Sequence, residues 1–389
     1  MDTLYFDHCA STPIHGRVAE TVLEVMKIHF ANAAALHRAG AEAMKLVDRA
    51  RAGIAAGFRV KPDEVVFTSG GTESNNLALK GTIGSLARSA KHVIVSSVEH
   101  ASVYRCAKQL EEQGVEVTWL PVDRYGSVRV EDVTAALRAD TALVSVMHVN
   151  NETGTVQPIR EIGEALARYP QVRFHVDGVQ AIGKVPVRFR EWGIDMYSAS
   201  AHKFQGPKGV GFLLVREGLA LAPLLAGGSQ EAGVRGGTHN VPGIVGMAQA
   251  FRLATESMPE RRERMFRLRR RLLELASTIP ELVLNGYGAE EEEKTSPHVV
   301  NLSYPGMRPE VLVHMLEKHG VLVSTQSACS SKSLQPSRVL SSMGLGEDRA
   351  SGSIRISFGD EHDERDIDTL GERLRMTVDK LKPLERSRG

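Results

Sequence analysis

The feature that most constrains the fold is a regular alternation of short apolar runs with helical segments through the first two thirds of the chain. Strands that alternate with helices predict an α/β fold, in which a mainly parallel sheet is covered by helices on both faces. The predicted strands are 64–68, 91–97, 115–121, 142–148, 172–177 and 211–215. Functional groups are then expected in the loops at the carboxyl ends of the strands.

The pattern changes after about residue 242, where a long charged helical stretch occupies residues 254–277. Shorter strand-like runs follow, at 299–304, 321–324 and 353–358. We therefore predict a large domain of residues 15–250 and a smaller α+β domain made of residues 1–14 and 251–389. The arginines of the charged stretch are interleaved with glutamates and apolar residues, which predicts a solvated helix face.

Composition and charge exclude several classes of protein. The chain has 389 residues and a formal net charge of +1, whereas proteins that bind nucleic acids or membrane surfaces usually carry a larger positive bias. Its three cysteines, Cys9, Cys106 and Cys329, are too widely spaced for a zinc ribbon or a C-x-x-C pair, so we expect no metal and no disulfide framework. No basic leader and no apolar run of ~20 residues is evident, which predicts a cytoplasmic protein.

The first candidate site element is the stretch FTSGGTESNN, residues 67–76. A predicted strand ends there, two glycines make a tight turn, and Thr72 lies in the first turn of the following helix. Free backbone N–H groups and the positive end of the helix dipole make such a turn suitable for an anion. A turn that serves packing alone fits the same pattern, and the motif is neither a Walker A loop nor G-x-G-x-x-G.

The second element is FHVDG, residues 174–178, in which polar His175 and Asp177 alternate with apolar neighbours. This alternation places Asp177 at the carboxyl end of a buried strand, where an ionised carboxylate is costly unless it is paired. Two interpretations stay open: Asp177 caps a helix, or it is the counter-ion of a cationic ligand nitrogen.

The third element is SASAHKFQGPKG, residues 198–209. Strand alternation predicts that Ser198, Ser200 and His202 share one face, and Lys203 follows directly. A lysine at a strand end beside small hydroxyl residues suits an enzyme that bonds a cofactor aldehyde to an amine. Lys208 is the competing candidate, and a surface lysine without a chemical role is the simpler alternative.

The fourth element is SVEHASV, with His100 at the end of another predicted strand. A lone histidine is more often a structural hydrogen-bonding residue than a catalyst. Its position at the same edge of the predicted sheet as the other three elements favours a function. Together the four elements would supply an anion site, a carboxylate, an amine and an imidazole, the groups that bind pyridoxal 5'-phosphate (PLP).

A fifth feature is the single cysteine of STQSACSSKS, residues 324–333. Buried cysteines usually have apolar neighbours, whereas Cys329 stands among serines, small residues and a lysine. This composition predicts an exposed, reactive thiol. Cys9 and Cys106 are interpreted as structural.

Eight motifs in the chain resemble those of the cysteine desulfurase family, a group of class V, fold-type I PLP enzymes. The resemblance extends over nearly the whole chain and is to the first group of the family, whose catalytic cysteine lies on a long loop. In order, the motifs are TSGGTESNN, VEHASV, MHVNNETG, HVDGVQAIGK, SASAHKFQGPKG, GGSQEAGVRGGTHN, SACSSKSLQPSRVL and SIRISFG.

The resemblance implies a role for each matching residue. Lys203 would bond to the cofactor aldehyde, Asp177 would contact the pyridine nitrogen, Gln180 would lie near the phenolic oxygen, and His100 would stack on the ring and handle protons. The phosphate would be held by Gly71, Thr72, Ser200 and His202, with Thr238 from the neighbouring subunit of a homodimer. Asn151 would lie beside cofactor and substrate, Arg355 would bind the substrate carboxylate, and Cys329, in the small domain, would attack the substrate sulfur.

The implied reaction converts L-cysteine to L-alanine and leaves the sulfur as a persulfide on Cys329. The persulfide would then pass to an acceptor protein, for iron-sulfur cluster assembly, tRNA thiolation or DNA phosphorothioation. If the arm that carries Cys329 is mobile, about six extended residues could cross roughly 20 Å. Other PLP chemistry, such as that of a selenocysteine lyase or an aminotransferase, and a catalytically silent PLP-binding partner protein are the alternatives.

The chain departs from the family pattern near the expected substrate entrance. The family usually has D-N-A-A-T-T-P where this chain has DHCASTP, residues 7–13, and F-G-N-P-S-S-x-H where it has FANAAALH, residues 30–37. The changes alter turn-forming residues and predict a specialised desulfurase.

Overall fold

The computed structural model describes residues 3–86, 91–325 and 336–385. Its strands are β1 (Leu4–Tyr5), β2 (Val65–Thr68), β3 (His92–Ser96), β4 (Glu116–Leu120), β5 (Thr141–Ser145), β6 (Arg173–Asp177), β7 (Met196–Ser200), β8 (Gly211–Val215), β9 (Val283–Asn285), β10 (Val299–Ser303), β11 (Val321–Leu322) and β12 (Ser353–Ser357). Its helices are α1 (Gly16–Ile28), α2 (Arg38–Phe58), α3 (Gly71–Ser85), α4 (Ala101–Glu112), α5 (Val130–Ala136), α6 (Ile159–Leu166), α7 (Val241–Glu256), α8 (Met258–Ser277), α9 (Pro309–Lys318), α10 (Arg338–Ser342), α11 (Glu347–Ser351) and α12 (Glu364–Glu385).

Seven strands form the main sheet, in the order β2-β8-β7-β6-β5-β3-β4. The strands from β7 to β4 are parallel to one another, and β8 runs antiparallel to both β7 and β2. The predicted α/β fold with a mainly parallel sheet is therefore confirmed. Because β2 runs in the same direction as β3, β6 and β7, the carboxyl ends of these four strands lie at one edge of the sheet.

Apolar side chains cover both faces of this sheet, which explains the near-continuous apolar runs of its strands. Successive residues of a strand point to opposite faces. Ile94, Val144 and Phe212 accordingly belong to one apolar core, and their neighbours Val93, Leu143 and Leu213 belong to the other.

A separate apolar core lies in the part of the chain where the sequence pattern changes. It is built on the antiparallel sheet β12-β10-β9 and includes Met265 of α8, Ile356 of β12 and Leu370 of α12. Phe6 joins this core because β1 pairs in parallel with β11. The predicted domain boundaries at residues 14 and 250 stay a prediction. Within the described ranges, no helix combines the length and apolar character needed to cross a membrane.

Two local predictions are wrong. His202 does not continue β7, because residues Ala201–Lys203 turn into a 3-10 helix, whereas Ser198 and Ser200 both lie in β7 and Ser198 Oγ lies 2.9 Å from His175 Nε2. Arg269 is not on a solvated face of α8, since it is 1% exposed. Its guanidinium donates hydrogen bonds to the carbonyls of Tyr287 and Gly288, which offset the cost of burial.

Candidate active site

A cavity of about 420 Å³ opens at the sheet edge where β2, β3, β6 and β7 end. It brings together the four site elements that the sequence predicts at separate strand ends. The predicted residues that line it are Gly71, Thr72, His100, Asn151, Asp177, Gln180, Ser200, His202, Lys203 and Arg355.

The turn between β2 and α3 forms one wall of the cavity. Gly70 has a φ of 148°, which favours glycine, and a Cβ on Gly71 would lie 2.6 Å from Cγ2 of Val179. The close approach presents the amino-terminal end of α3 to the cavity beside Thr72 and Ser200. Unpaired N–H groups and the helix dipole at this end suit an anion such as a phosphate.

Asp177 lies buried at the end of β6. Burial raises the pKa of its carboxyl group, whereas hydrogen bonds from the Val179 N–H and the Asn75 amide and the charge of Lys203 act in the opposite direction. The carboxylate oxygens lie 3.0 Å from Val179 N and 2.7 Å from Asn75 Nδ2. Residues 178–184 form turns and no helix, so Asp177 is not a helix cap. A positively charged ring nitrogen of a ligand would compensate its charge.

Lys203 projects its amine into the cavity. Nζ donates hydrogen bonds to the carbonyl of Cys9 and, at 2.8 Å, to that of Ala10. Burial lowers the pKa of Lys203 to about 8, with a further contribution from the charge of Arg355. A substantial neutral fraction therefore exists near neutral pH, as an amine that attacks an aldehyde requires. Lys208, the competing candidate, is exposed at the cavity rim.

His100 caps α4 with its Nδ1, which accepts the Ser102 N–H at 3.2 Å and lies 2.8 Å from Ser102 Oγ. Ser102 Oγ itself accepts a hydrogen bond from Asn75 Nδ2, so its O–H is directed to the imidazole. These bonds place the proton of the neutral ring on Nε2. Burial and the charge of Lys203 lower the pKa of His100 to about 4, so the ring is neutral at physiological pH.

The turn that precedes His100 is fixed by Arg338. This guanidinium donates hydrogen bonds to the carbonyls of Ser97 and Glu99 and stacks 4.2 Å from the centre of the Tyr104 ring. Since Arg338 begins α10, the part of the chain that follows residue 335 is anchored directly on the turn that carries His100.

Arg355 lies fully buried on β12, opposite Lys203. Nη2 pairs with Asp7 at 2.8 Å and Nη1 donates to the carbonyl of Asn151 at 2.9 Å. Its Nε has no partner among the described residues. A buried guanidinium with a free donor beside an amine-binding lysine suits the carboxylate of an amino acid.

The remaining predicted residues differ in their placement. His202 lies 3.4 Å from Ser11 Oγ, and burial and the charge of Lys203 lower its pKa to about 4. Thr238 is exposed and does not line the cavity. Cys329, with the predicted mobile arm, lies outside the described residues.

Sequence reasoning missed four residues that shape the cavity or its hydrogen bonds: Asp7, Cys9, Asn75 and Ser102. Asn75 carried a usable signal, because it lies four residues after Gly71 and therefore on the same helix face. Asp7 and Cys9 belong to the DHCASTP stretch near the expected substrate entrance, but contacts that are remote in sequence decide which of its residues reach the cavity.

The unpartnered atoms of the cavity indicate a ligand with particular groups. Asn75 Oδ1 and Gln180 Oε1, like Arg355 Nε, are buried without a hydrogen-bond partner in the described ranges. PLP would offer a cationic ring nitrogen to Asp177, an aldehyde to Lys203 and a phosphate to α3. This fit, on a mainly parallel α/β sheet, defines a PLP-dependent enzyme of fold type I.

Comparisons with known proteins narrow this class. The family model "Aminotransferase class-V" matches residues 4–370, and the chain belongs to that family. A curated relative named cysteine desulfurase IscS, from Dictyoglomus turgidum, is 42% identical over 382 residues, which cover 98% of this chain and 96% of that protein.

Solved structures agree in fold. A structure titled NIFS-like protein has a TM-score of 0.91 and 34% identity, and covers 97% of this chain and 100% of its own. A structure titled SspA in complex with cysteine has a TM-score of 0.78 and 34% identity, with 92% of this chain and 99% of that chain covered.

The segment that carries Thr238 is fixed by a buried carboxylate. Glu231 has a φ of 48°, and its side chain binds Arg51 at 2.6 Å, His239 at 2.7 Å and the Phe67 N–H at 2.8 Å. Burial alone would raise the pKa of Glu231, but the hydrogen bonds from Arg51 and His239 lower it to about 2.

We predict that Glu231 makes stability depend on pH. Because its pKa is lower in the folded than in the unfolded state, its contribution of about 3 kcal/mol is complete above about pH 5 and is lost as the pH falls toward 2. Glu231→Gln should lower the free energy of unfolding at pH 7 and flatten its pH dependence, measured by denaturant titration.

The matched control is Glu217→Gln, which removes an exposed pair with Lys61. It should change stability much less than Glu231→Gln does, because water screens an exposed ion pair. Equal effects of the two substitutions would contradict the role of the buried pair.

Proposed function

We propose that this chain is a PLP-dependent cysteine desulfurase, which converts L-cysteine to L-alanine and retains the sulfur as a persulfide on Cys329. The observation that carries the proposal is that Lys203 and the buried Arg355 line one cavity. An amine-reactive group and a carboxylate-binding group in one cavity suit an α-amino acid. The name of the Dictyoglomus relative and the cysteine in the SspA structure support this substrate.

The chain's own residues have distinct roles in this function. The cofactor, when bound, supplies an electron sink for bond cleavage at the substrate Cα. Asp177 would keep the ring nitrogen protonated, and Lys203 would provide the amine that holds the cofactor and moves the Cα proton. Neutral His100 would handle the proton of the sulfur, while Asn151 and Gln180 would orient substrate and cofactor.

The proposed phosphate site combines the amino-terminal end of α3 with nearby side chains: Gly71, Thr72, Ser200 and His202, joined by Thr238 of a second subunit. Thr238 is exposed, so its side chain is available to contact the phosphate site of a second subunit.

Cys329 is proposed as the sulfur-accepting nucleophile on the strength of its motif. The described residues on either side of its segment lie beside the substrate groups. Ser324 hydrogen bonds to Asp7 at 2.6 Å and its backbone pairs with that of Arg355, while Ser337 hydrogen bonds to Glu152 at 2.5 Å. The segment that carries Cys329 thus begins and ends near Arg355 and Asn151.

A homodimer is proposed from the apolar surface of α1 and the segment after it. Leu23, Met26, Ile28, Phe30 and Leu36 are between 53% and 104% exposed. A contiguous stretch of exposed apolar residues is typical of a subunit interface. We also propose a cytoplasmic location, a sulfur-acceptor protein as partner, and the division into domains 15–250 and 1–14 with 251–389.

We predict that the holoenzyme releases alanine from L-cysteine and that Cys329→Ala abolishes the formation of persulfide from L-cysteine and the transfer of that sulfur. The reason is that no other thiol belongs to the SACSSKS motif. Alanine is quantified by chromatography and persulfide by mass spectrometry. Cys106→Ala, which removes a thiol from an apolar core, is the control and should behave like wild type.

Transfer of persulfide sulfur by Cys329→Ala at the wild-type rate would contradict this nucleophile. Loss of amino groups that depends on a keto acid would instead identify an aminotransferase. Cofactor trapped on Lys203 by borohydride, without turnover of any amino acid, would identify a silent binding protein.

We predict that the chain sediments as a dimer and that Leu23→Glu combined with Phe30→Glu shifts it toward the 42.4 kDa monomer, because two charges would be buried at the interface. Analytical ultracentrifugation measures the change. Met376→Glu, at an apolar residue on α12 that is 45% exposed, is the control. Dissociation should also weaken PLP binding, and an unchanged dimer would contradict this interface.

A further inference from the structure

Cys9 lies in the wall of the proposed active site, although the reaction proposed above does not use its thiol. It is 2% exposed, and its carbonyl accepts hydrogen bonds from Lys203 Nζ and, at 3.0 Å, from Gln180 Nε2. Its N–H donates to Ser357 Oγ at 2.9 Å. The position of Cys9 is therefore fixed by the same groups that are proposed to hold cofactor and substrate.

The thiol of Cys9 is paired with a histidine. Sγ lies 3.6 Å from Nε2 of His298, whose Nδ1 lies 2.6 Å from Ser296 Oγ. Burial and the charge of Lys184 lower the pKa of His298 well below its usual value, so the ring is neutral. A serine hydroxyl can accept a hydrogen bond as well as donate one. Ser296 Oγ can therefore accept the N–H of His298 Nδ1, which leaves Nε2 free to accept the proton of the thiol. Cys9 Sγ, the His298 ring and the Ser296 hydroxyl are therefore linked in space as a nucleophile, a base and a group that orients the base.

Cations surround this thiol. Lys184, Lys203 and Arg355 all interact electrostatically with Cys9, and Lys184 Nζ donates to the Lys203 carbonyl at 2.7 Å. Reactive thiols are typically found near positive charge. Cys106 provides the contrast, because it lies in an apolar core and burial raises its pKa to about 11.

The cavity beside Cys9 is built for a ligand. Gln180, which hydrogen bonds to Cys9, has a buried Oε1 without a partner, and Arg355 has a buried Nε without a partner among the residues described. Both residues line the cavity together with Cys9. A small molecule bound to these atoms would share the cavity with Cys9.

We propose that Cys9 is a second sulfur-accepting thiol, which takes the outer sulfur atom of a small persulfide or polysulfide that enters the cavity. The Cys9 thiolate attacks the outer sulfur, the sulfur–sulfur bond of the donor breaks, and a new sulfur–sulfur bond forms on Cys9. His298 relays the proton of the Cys9 thiol to the departing thiolate within the same step, so that the ring does not stay charged. Sulfur is exchanged between thiols at constant oxidation level, so no oxidant is consumed. The proposal rests on the desulfurase function only for the source of such sulfur in the cell.

The experiment uses the Cys329→Ala holoenzyme, which lacks the other proposed acceptor, and sodium disulfide (Na₂S₂) as the probe. After trapping with an alkylating reagent, mass spectrometry quantifies persulfide on Cys9 and on Cys106 in the same sample. We expect labelling of Cys9 at least about tenfold faster than that of Cys106, and a loss of about tenfold or more for Cys9 in His298→Gln.

Equal labelling of Cys9 and Cys106 would overturn the proposal, as would labelling of Cys9 that is unchanged in folded His298→Gln. If His298→Gln does not fold, the ratio of the persulfide labelling rates of Cys9 and Cys106 in Cys329→Ala decides the proposal alone. The probe supplies sulfur without L-cysteine, so the labelling of Cys9 does not depend on desulfuration. Alanine formation from L-cysteine measures desulfuration separately, and the failure of one proposal is therefore distinguishable from the failure of the other.

Discussion

The burial of the Asp177 carboxylate at the end of β6 is the constraint on which the rest of the site depends. An ionised carboxylate at this depth is costly, and hydrogen bonds from Asn75 and Val179 offset only part of that cost. The neighbouring Gly178 is required because a Cβ there would lie 1.9 Å from the Tyr197 ring. Parallel strands bring the anion site of α3, His100 and Lys203 to the same edge of the sheet, so that one cationic, phosphorylated ligand can compensate the buried charge and fill the cavity.

The amino-terminal segment connects the two cores of the molecule at this cavity. Asp7 pairs with Arg355 of β12, and the carbonyls of Cys9 and Ala10 receive the amine of Lys203. Arg355 forms an ion pair with Asp7, so the substrate carboxylate would meet a guanidinium whose charge is already partly compensated. If Arg355 binds the substrate carboxylate as proposed, residues 7–10 would couple substrate affinity to the position of Lys203.

The sequence allowed the sheet and much of the site to be predicted, for physical reasons that differ between residues. Asp177 ends β6 and Lys203 follows the end of β7 by three residues, so the carboxyl ends of parallel strands bring both residues to the functional edge. His202 was misplaced because a 3-10 turn interrupts the alternation after Ser200. Asp7 and Cys9 were missed because pairing of β1 with β11, more than 300 residues away in the chain, brings them to the cavity. Thr238 does not line the cavity, and its contribution to the phosphate site of a second subunit stays a proposal.

If the buried Asp177 carboxylate activates the cofactor, Asp177→Asn should still hold the cofactor on Lys203 but form alanine from L-cysteine at least about 10²-fold more slowly than wild type. Asp195→Asn is the control, since Asp195 is a buried carboxylate outside the cavity that binds the Phe174 N–H and Arg216. Alanine formation by Asp177→Asn at the wild-type rate, with Asp195→Asn equally active, would show that the Asp177 carboxylate does not activate the cofactor.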